Sequence, residues 1–152
     1  MTTIILTIIG ILLAAAAALM VIFYGGDAFN SGSVGAAANT YQNAGTNVIS
    51  AVQMFKAENA NSPASLTALA SGPNGAYLDE EPALPNGATA ALANDIYTVT
   101  VVADDATATT QVCDRINKNL GNAAVPTGGE KMGCIDNVFF ARAGSAVYDE
   151  GE

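Results

Sequence analysis

The stretch Ile4–Tyr24, IILTIIGILLAAAAALMVIFY, decides how the rest of the chain is read. Only Thr7 and Gly10 interrupt its apolar run, and no charged side chain stands between Met1 and Tyr24. A helix of this size rises about 30 Å, the thickness of a bilayer core. A cleavable secretory signal is the competing reading. Such signals carry a basic leading region and an apolar run of roughly 7 to 15 residues, whereas Met1-Thr2-Thr3 is uncharged. A signal anchor would place Lys or Arg on its cytoplasmic flank, and none stands there. The expectation is a mature chain from which a short basic leader was removed ahead of Met1.

Beyond this segment Gly25-Gly26 weakens a helix, each glycine costing about 1 kcal/mol relative to alanine. Further on, Val34, Ala38, Tyr41, Gly45, Val48, Val52 and Phe55 recur at alternating steps of four and three, which predicts one apolar stripe on a helix running to about Asn59. The opposite face, with Ser33, Asn39, Gln42, Asn43, Asn47, Ser50 and Gln53, is polar but uncharged. A single helix of this extent would reach about 80 Å, apolar all round in its first half and amphipathic in its second. A helix uncharged over such a length expects lipid or protein neighbours. The chain is divided accordingly into residues 1–26, a transmembrane or core helix, and residues 27–152, a globular domain that includes the amphipathic half.

The remainder reads as a small mixed domain. Ser62-Pro63 is expected to open a short helix over Ala64–Ala70, with Ser62 as cap and Pro63 in the first position. Gly72-Pro73-Asn74-Gly75 should end it in a turn. Ala76 to Asn94 reads as an irregular surface loop. Ile96–Ala103, IYTVTVVA, is the clearest strand. Thr109–Leu120 reads as a helix with Cys113, Ile116 and Leu120 on one face and Gly121 as terminator. Cys134–Ala143 reads as a second strand, and Ala146–Tyr148 as a third. The fold class is therefore α+β: a long N-terminal α-helix with a small antiparallel sheet and an extra helix packed on its C-terminal half.

Cys113 and Cys134 are the whole cysteine inventory. In a part exported past a membrane they are expected to pair, closing a loop of about 20 residues and adding roughly 3 kcal/mol; two buried thiols are the alternative. The charge balance narrows the partners. Five basic residues against fourteen acids give a net charge of -9 with no basic cluster, which argues against nucleic acid and anionic headgroups.

This arrangement resembles the type IV pilin family, and its type IVb branch more than type IVa. The resemblance rests on Met1 as an N-terminal residue, the apolar run Ile4–Tyr24, its uncharged amphipathic continuation to Phe55, and the cysteine pair enclosing a C-terminal loop. It implies a leader cut at Met1, methylation of the new terminus, and apolar helices bundled into the core of an extracellular filament. The core positions would be Ile4, Ile5, Ile8, Ile9, Leu12, Leu13, Ala16, Leu19, Met20 and Phe23. It further implies an inner-membrane pool before assembly, a pilus assembly machinery as partner, and self-association into a helical homopolymer. The family usually has glutamate at the fifth mature position; here it is Ile5, and no carboxylate precedes Asp27. A pseudopilin or minor pilin of a secretion or DNA-uptake machine is the alternative, as is a monomeric membrane-anchored binding domain. A helix break is expected at Gly25 and Gly26 in the assembled state, although pilins lose helix nearer to where Ala14–Ile22 stand.

No enzyme and no cofactor are expected. Without histidine a serine or cysteine hydrolase lacks its usual base. The adjacent acids Glu80/Glu81 and Asp104/Asp105 point apart if extended, and read as solvated surface. Calcium at Asp79, Glu80 or Asp104/Asp105 finds no loop of recognisable spacing. Gly128-Gly129 lacks the following Lys-Ser/Thr of a phosphate cradle.

Overall fold

The structure, a computed structural model, describes residues 2–71, 76–122 and 129–144. In chain order the elements are α1 (Thr2–Asn59), α2 (Leu66–Ala70), a 3-10 turn (Pro85–Gly87), β1 (Ala90–Ala93), β2 (Ile96–Thr100), α3 (Ala106–Leu120), β3 (Met132–Ile135) and β4 (Val138–Arg142). The fold is α+β, with the long apolar N-terminal helix, a four-stranded antiparallel sheet and further helices. Two compact units make up the chain, Met1–Ser33 and Val34–Glu152.

In the second unit the strands lie in the order β1-β2-β4-β3, so β2 and β4 pair at the centre although α3 separates them in sequence. Each hairpin closes on a two-residue turn whose residues both have positive φ: Asn94 (51°) and Asp95 (65°), Asp136 (47°) and Asn137 (64°). That is the type I′ pattern, whose twist matches the flanking strands, and Asn and Asp tolerate it best after glycine. These turns correct two expectations. The strand expected over Cys134–Ala143 is a hairpin, β3 and β4, folded at Asp136-Asn137. The loop expected over Ala76–Asn94 ends in a strand, because Ala90–Ala93 pairs along β2 once Asn94-Asp95 reverses the chain.

The short helix is corrected as well. It begins at Leu66, and its cap is Ser65 rather than Ser62: the Ser65 hydroxyl accepts a bond from the Ala68 N–H at 3.3 Å. Pro63 precedes the helix and is buried. Helix α3 starts at Ala106, earlier than the expected Thr109, because Asp105 caps it by accepting from the Ala108 N–H at 2.7 Å. Gly121 ends it with φ 71°, a conformation easy only for glycine. The expected turn at Gly72–Gly75 and the third strand at Ala146–Tyr148 lie outside the described residues.

The core forms where the apolar stripe of α1 meets the sheet and α3. Val34, Ala38, Tyr41, Gly45, Val48, Val52 and Phe55 are all buried. Tyr41 and Tyr97 flank Phe139 with ring centroids 6.2 and 6.4 Å away, and none of the three rings is exposed. Gly45 is where backbone and ring come closest: a Cβ there would stand 2.7 Å from Phe139 Cζ. The Tyr41 hydroxyl accepts from the Val102 N–H at 3.2 Å, holding the chain just beyond β2. Lys56 near the end of α1 pairs with Asp95 in the first hairpin turn.

Candidate membrane and assembly surface

The unit Met1–Ser33 is built on the first part of α1. Helix forms here because the segment lacks proline and is rich in Leu and Ala, among the best helix formers. Among the described residues, Thr3–Ile22 is long and apolar enough to cross a membrane, and none of it is buried within the chain. A core helix would be covered by its own fold; this segment instead has the length and composition of a membrane-spanning or signal helix. The large apolar side chains are exposed on every side, from 49% at Ile9 to 72% at Val21.

The exposed apolar surface is energetically large. Twelve large apolar side chains between Ile4 and Ile22 stand open. Completing the burial of each is worth on the order of 1–2 kcal/mol, so covering them all is worth on the order of 10–20 kcal/mol. That matches or exceeds the whole stability of an ordinary domain. Leaving so much apolar surface in water is therefore costly, and the segment has the length and composition of a membrane-spanning or signal helix. Its internal polar side chain does not oppose this, because the Thr7 hydroxyl donates to the Thr3 carbonyl at 2.8 Å.

Nine of the expected core positions, Ile4, Ile5, Ile8, Ile9, Leu12, Leu13, Ala16, Leu19 and Met20, are exposed on this helix. Phe23 is helical in its backbone, and its side chain lies outside the described residues, as does Met1 altogether. Gly25 and Gly26 are helical in the single chain, where α1 runs from Thr2 to Asn59 without interruption. The break expected at these glycines concerns the assembled state.

The second feature is a clamp on β3, one of the two outer strands of the sheet. Cys113 on α3 is bonded to Cys134 on β3, with their Cα atoms 5.3 Å apart. One turn further along α3, Asn117 holds the same residue. Its amide nitrogen donates to the Cys134 carbonyl at 2.9 Å, and its amide oxygen accepts from the Cys134 N–H at 2.8 Å. The side chain thus imitates one residue of a neighbouring strand, and at 3% exposure the pairing is sealed from water. Asn122 adds a third bond, donating to the Met132 carbonyl at 2.7 Å. Gln42 ties α3 to α1 by donating to the Ile116 carbonyl at 3.2 Å.

Sequence reasoning missed Asn117, though the spacing of four between it and Cys113 places both on one helix face. Among the described residues no group of three or more His, Cys, Asp or Glu side chains gathers to hold a metal. No protein-family model, no curated protein and no solved structure matches the chain.

Proposed function

We propose that this chain is the structural subunit of a type IV pilus-like filament, polymerising through its apolar N-terminal helix and displaying its disulfide-tied domain outward. The observation that carries this reading is the full exposure of Thr3–Ile22 on a helix that continues as the spine of the domain core. A monomer needs an anchor, but it does not need an uncharged polar face beyond that anchor. Here α1 carries no charge between Asp27 and Lys56, and exposed Asn43, Thr46, Asn47, Ser50 and Gln53 suit close contact with protein neighbours.

In this scheme the helix first resides in the membrane and then exchanges lipid for identical helices. Because lipid tails are as apolar as leucine, that exchange is favoured by packing rather than by water exclusion. Ile5, with no carboxylate before Asp27, lets the bundle form without burying a charge that would need a partner. Assembly would be followed in sheared surface material by electron microscopy, with mass spectrometry of the main band. Leu12→Asp or Ala16→Asp should abolish filaments and leave the disulfide-tied domain folded, since a charge inside such a bundle costs several kcal/mol. Normal filaments from either variant, or filaments lacking this chain, would overturn the proposal.

A further inference from the structure

The exposed ridge of α1 in the globular unit carries opposite charge on its two flanks. On one side a cleft joins Asn47, Ala51 and Met54 to the segment Tyr77–Ala83, which includes Asp79, Glu80 and Glu81. On the other side a groove of about 370 Å³ lies between Thr46, Ile49 and Gln53 of α1 and Lys131, Met132 and Arg142 of the β3–β4 region. Ser50 borders both. Among the described residues, Asp79, Glu80, Glu81 and Lys131 are exposed, and none is engaged in an ion pair. Arg142 is held at the groove through its bond to the Gly129 carbonyl.

We infer that this groove receives the Asp79-Glu80-Glu81 segment of a second copy of the chain. Exposed Lys131, one of only five basic residues among fourteen acids, makes this groove a seat for an acidic partner. The chain's own acidic segment stands on the far flank of the ridge, so it remains available to the next copy. Such a head-to-tail contact joins two different patches and extends into an open helical polymer whenever its rotation does not close a ring. It rests on the filament reading, and gives that polymer a polar outer contact in addition to its apolar core.

The test uses the full chain, with light- and heavy-isotope copies mixed before assembly, treated with a zero-length carbodiimide and mapped by mass spectrometry. A light-to-heavy link from Lys131 to Asp79, Glu80 or Glu81 is expected. Glu80→Lys and Lys131→Glu should each lower polymer yield by roughly fivefold or more at low salt. The double variant, with complementarity restored in the opposite sense, should recover it. Both residues are exposed, and an intact disulfide would verify folding. Filaments that form equally well with either single variant would overturn the inference and leave the filament reading standing. Linkage of Lys131 to residues 149–152 within one copy would also overturn it, because the groove would then hold the chain's own tail. Absence of filaments together with the expected link would refute the filament reading alone; absence of both would refute the two together.

Discussion

Replacing Gly45 with alanine should destabilise the globular unit, although the same change normally strengthens a helix. The added Cβ would lie 2.7 and 2.8 Å from Phe139 Cζ and Cε1, and 2.9 Å from Met132 Cε. Carbon atoms in favourable contact stand about 3.5–4.0 Å apart. Met132 can shift, being flexible and only partly buried. Phe139 cannot retreat easily, because it is wholly buried between Tyr41 and Tyr97. Overpacking of this kind costs about 1–3 kcal/mol, against a gain of about 1 kcal/mol in helix propensity. The net loss is therefore about 1 kcal/mol. Gly35 is the internal control. An added Cβ there meets nothing nearer than Arg115 Nη2 at 3.8 Å, so Gly35→Ala should stabilise by up to about 1 kcal/mol. Chemical unfolding of the oxidised full chain in detergent, followed by tyrosine near-ultraviolet dichroism, would separate the two by about 2 kcal/mol. If Gly45→Ala proved as stabilising as Gly35→Ala, the close approach of Phe139 to α1 would be refuted.

Further outcomes are expected in the same assay and in the filament. Asn117→Ala should cost roughly 2–4 kcal/mol, because it strips two buried backbone groups of their partners; a loss below about 0.5 kcal/mol would show that water replaces the amide. Burial, then the Glu81 carboxylate, then Tyr41 push the Tyr97 hydroxyl up to about 12. The unfolded chain ionises this phenol near pH 10, so the stability tied to the neutral form is complete below pH 10 and falls away between 10 and 12. Tyr97→Phe should remove that part of the alkaline decline, on the order of 2 kcal/mol; matching pH profiles for the two chains would refute it. In a filament map the backbone from Phe23 to Asp27 should leave helical values, and continuous helix across Tyr24–Ala28 would rule this out.

What was legible in the sequence follows from which signals are local. The apolar stripe of α1 could be read because 3.6-residue periodicity is a property of one segment, and all its positions proved buried. Ile96–Thr100 announced itself through β-branched and aromatic side chains. Strand β1 did not, since Ala90, Ala91 and Ala93 carry no β preference and owe their strand to pairing with β2. Both hairpins were hidden for a related reason. Their turns use Asn-Asp and Asp-Asn without the glycine that usually marks such turns, so in sequence the first reads as the end of a loop and the second as the interior of a strand. The exposed helix was fully legible, because length and composition alone define it. The charged groove was not, as Thr46–Gln53 and Lys131–Arg142 become neighbours only through the fold.

The amide of Asn117 has a consequence for how this domain behaves when crowded. The outer strand of a sheet offers unpaired N–H and C=O groups that can recruit a foreign strand and seed cross-β aggregation. On β3 the Cys134 groups are taken by Asn117 and the Met132 carbonyl by Asn122. The disulfide one turn away fastens α3 over that edge. In the proposed filament, where copies would be held close together, these groups of β3 are thereby withheld from templated strand exchange.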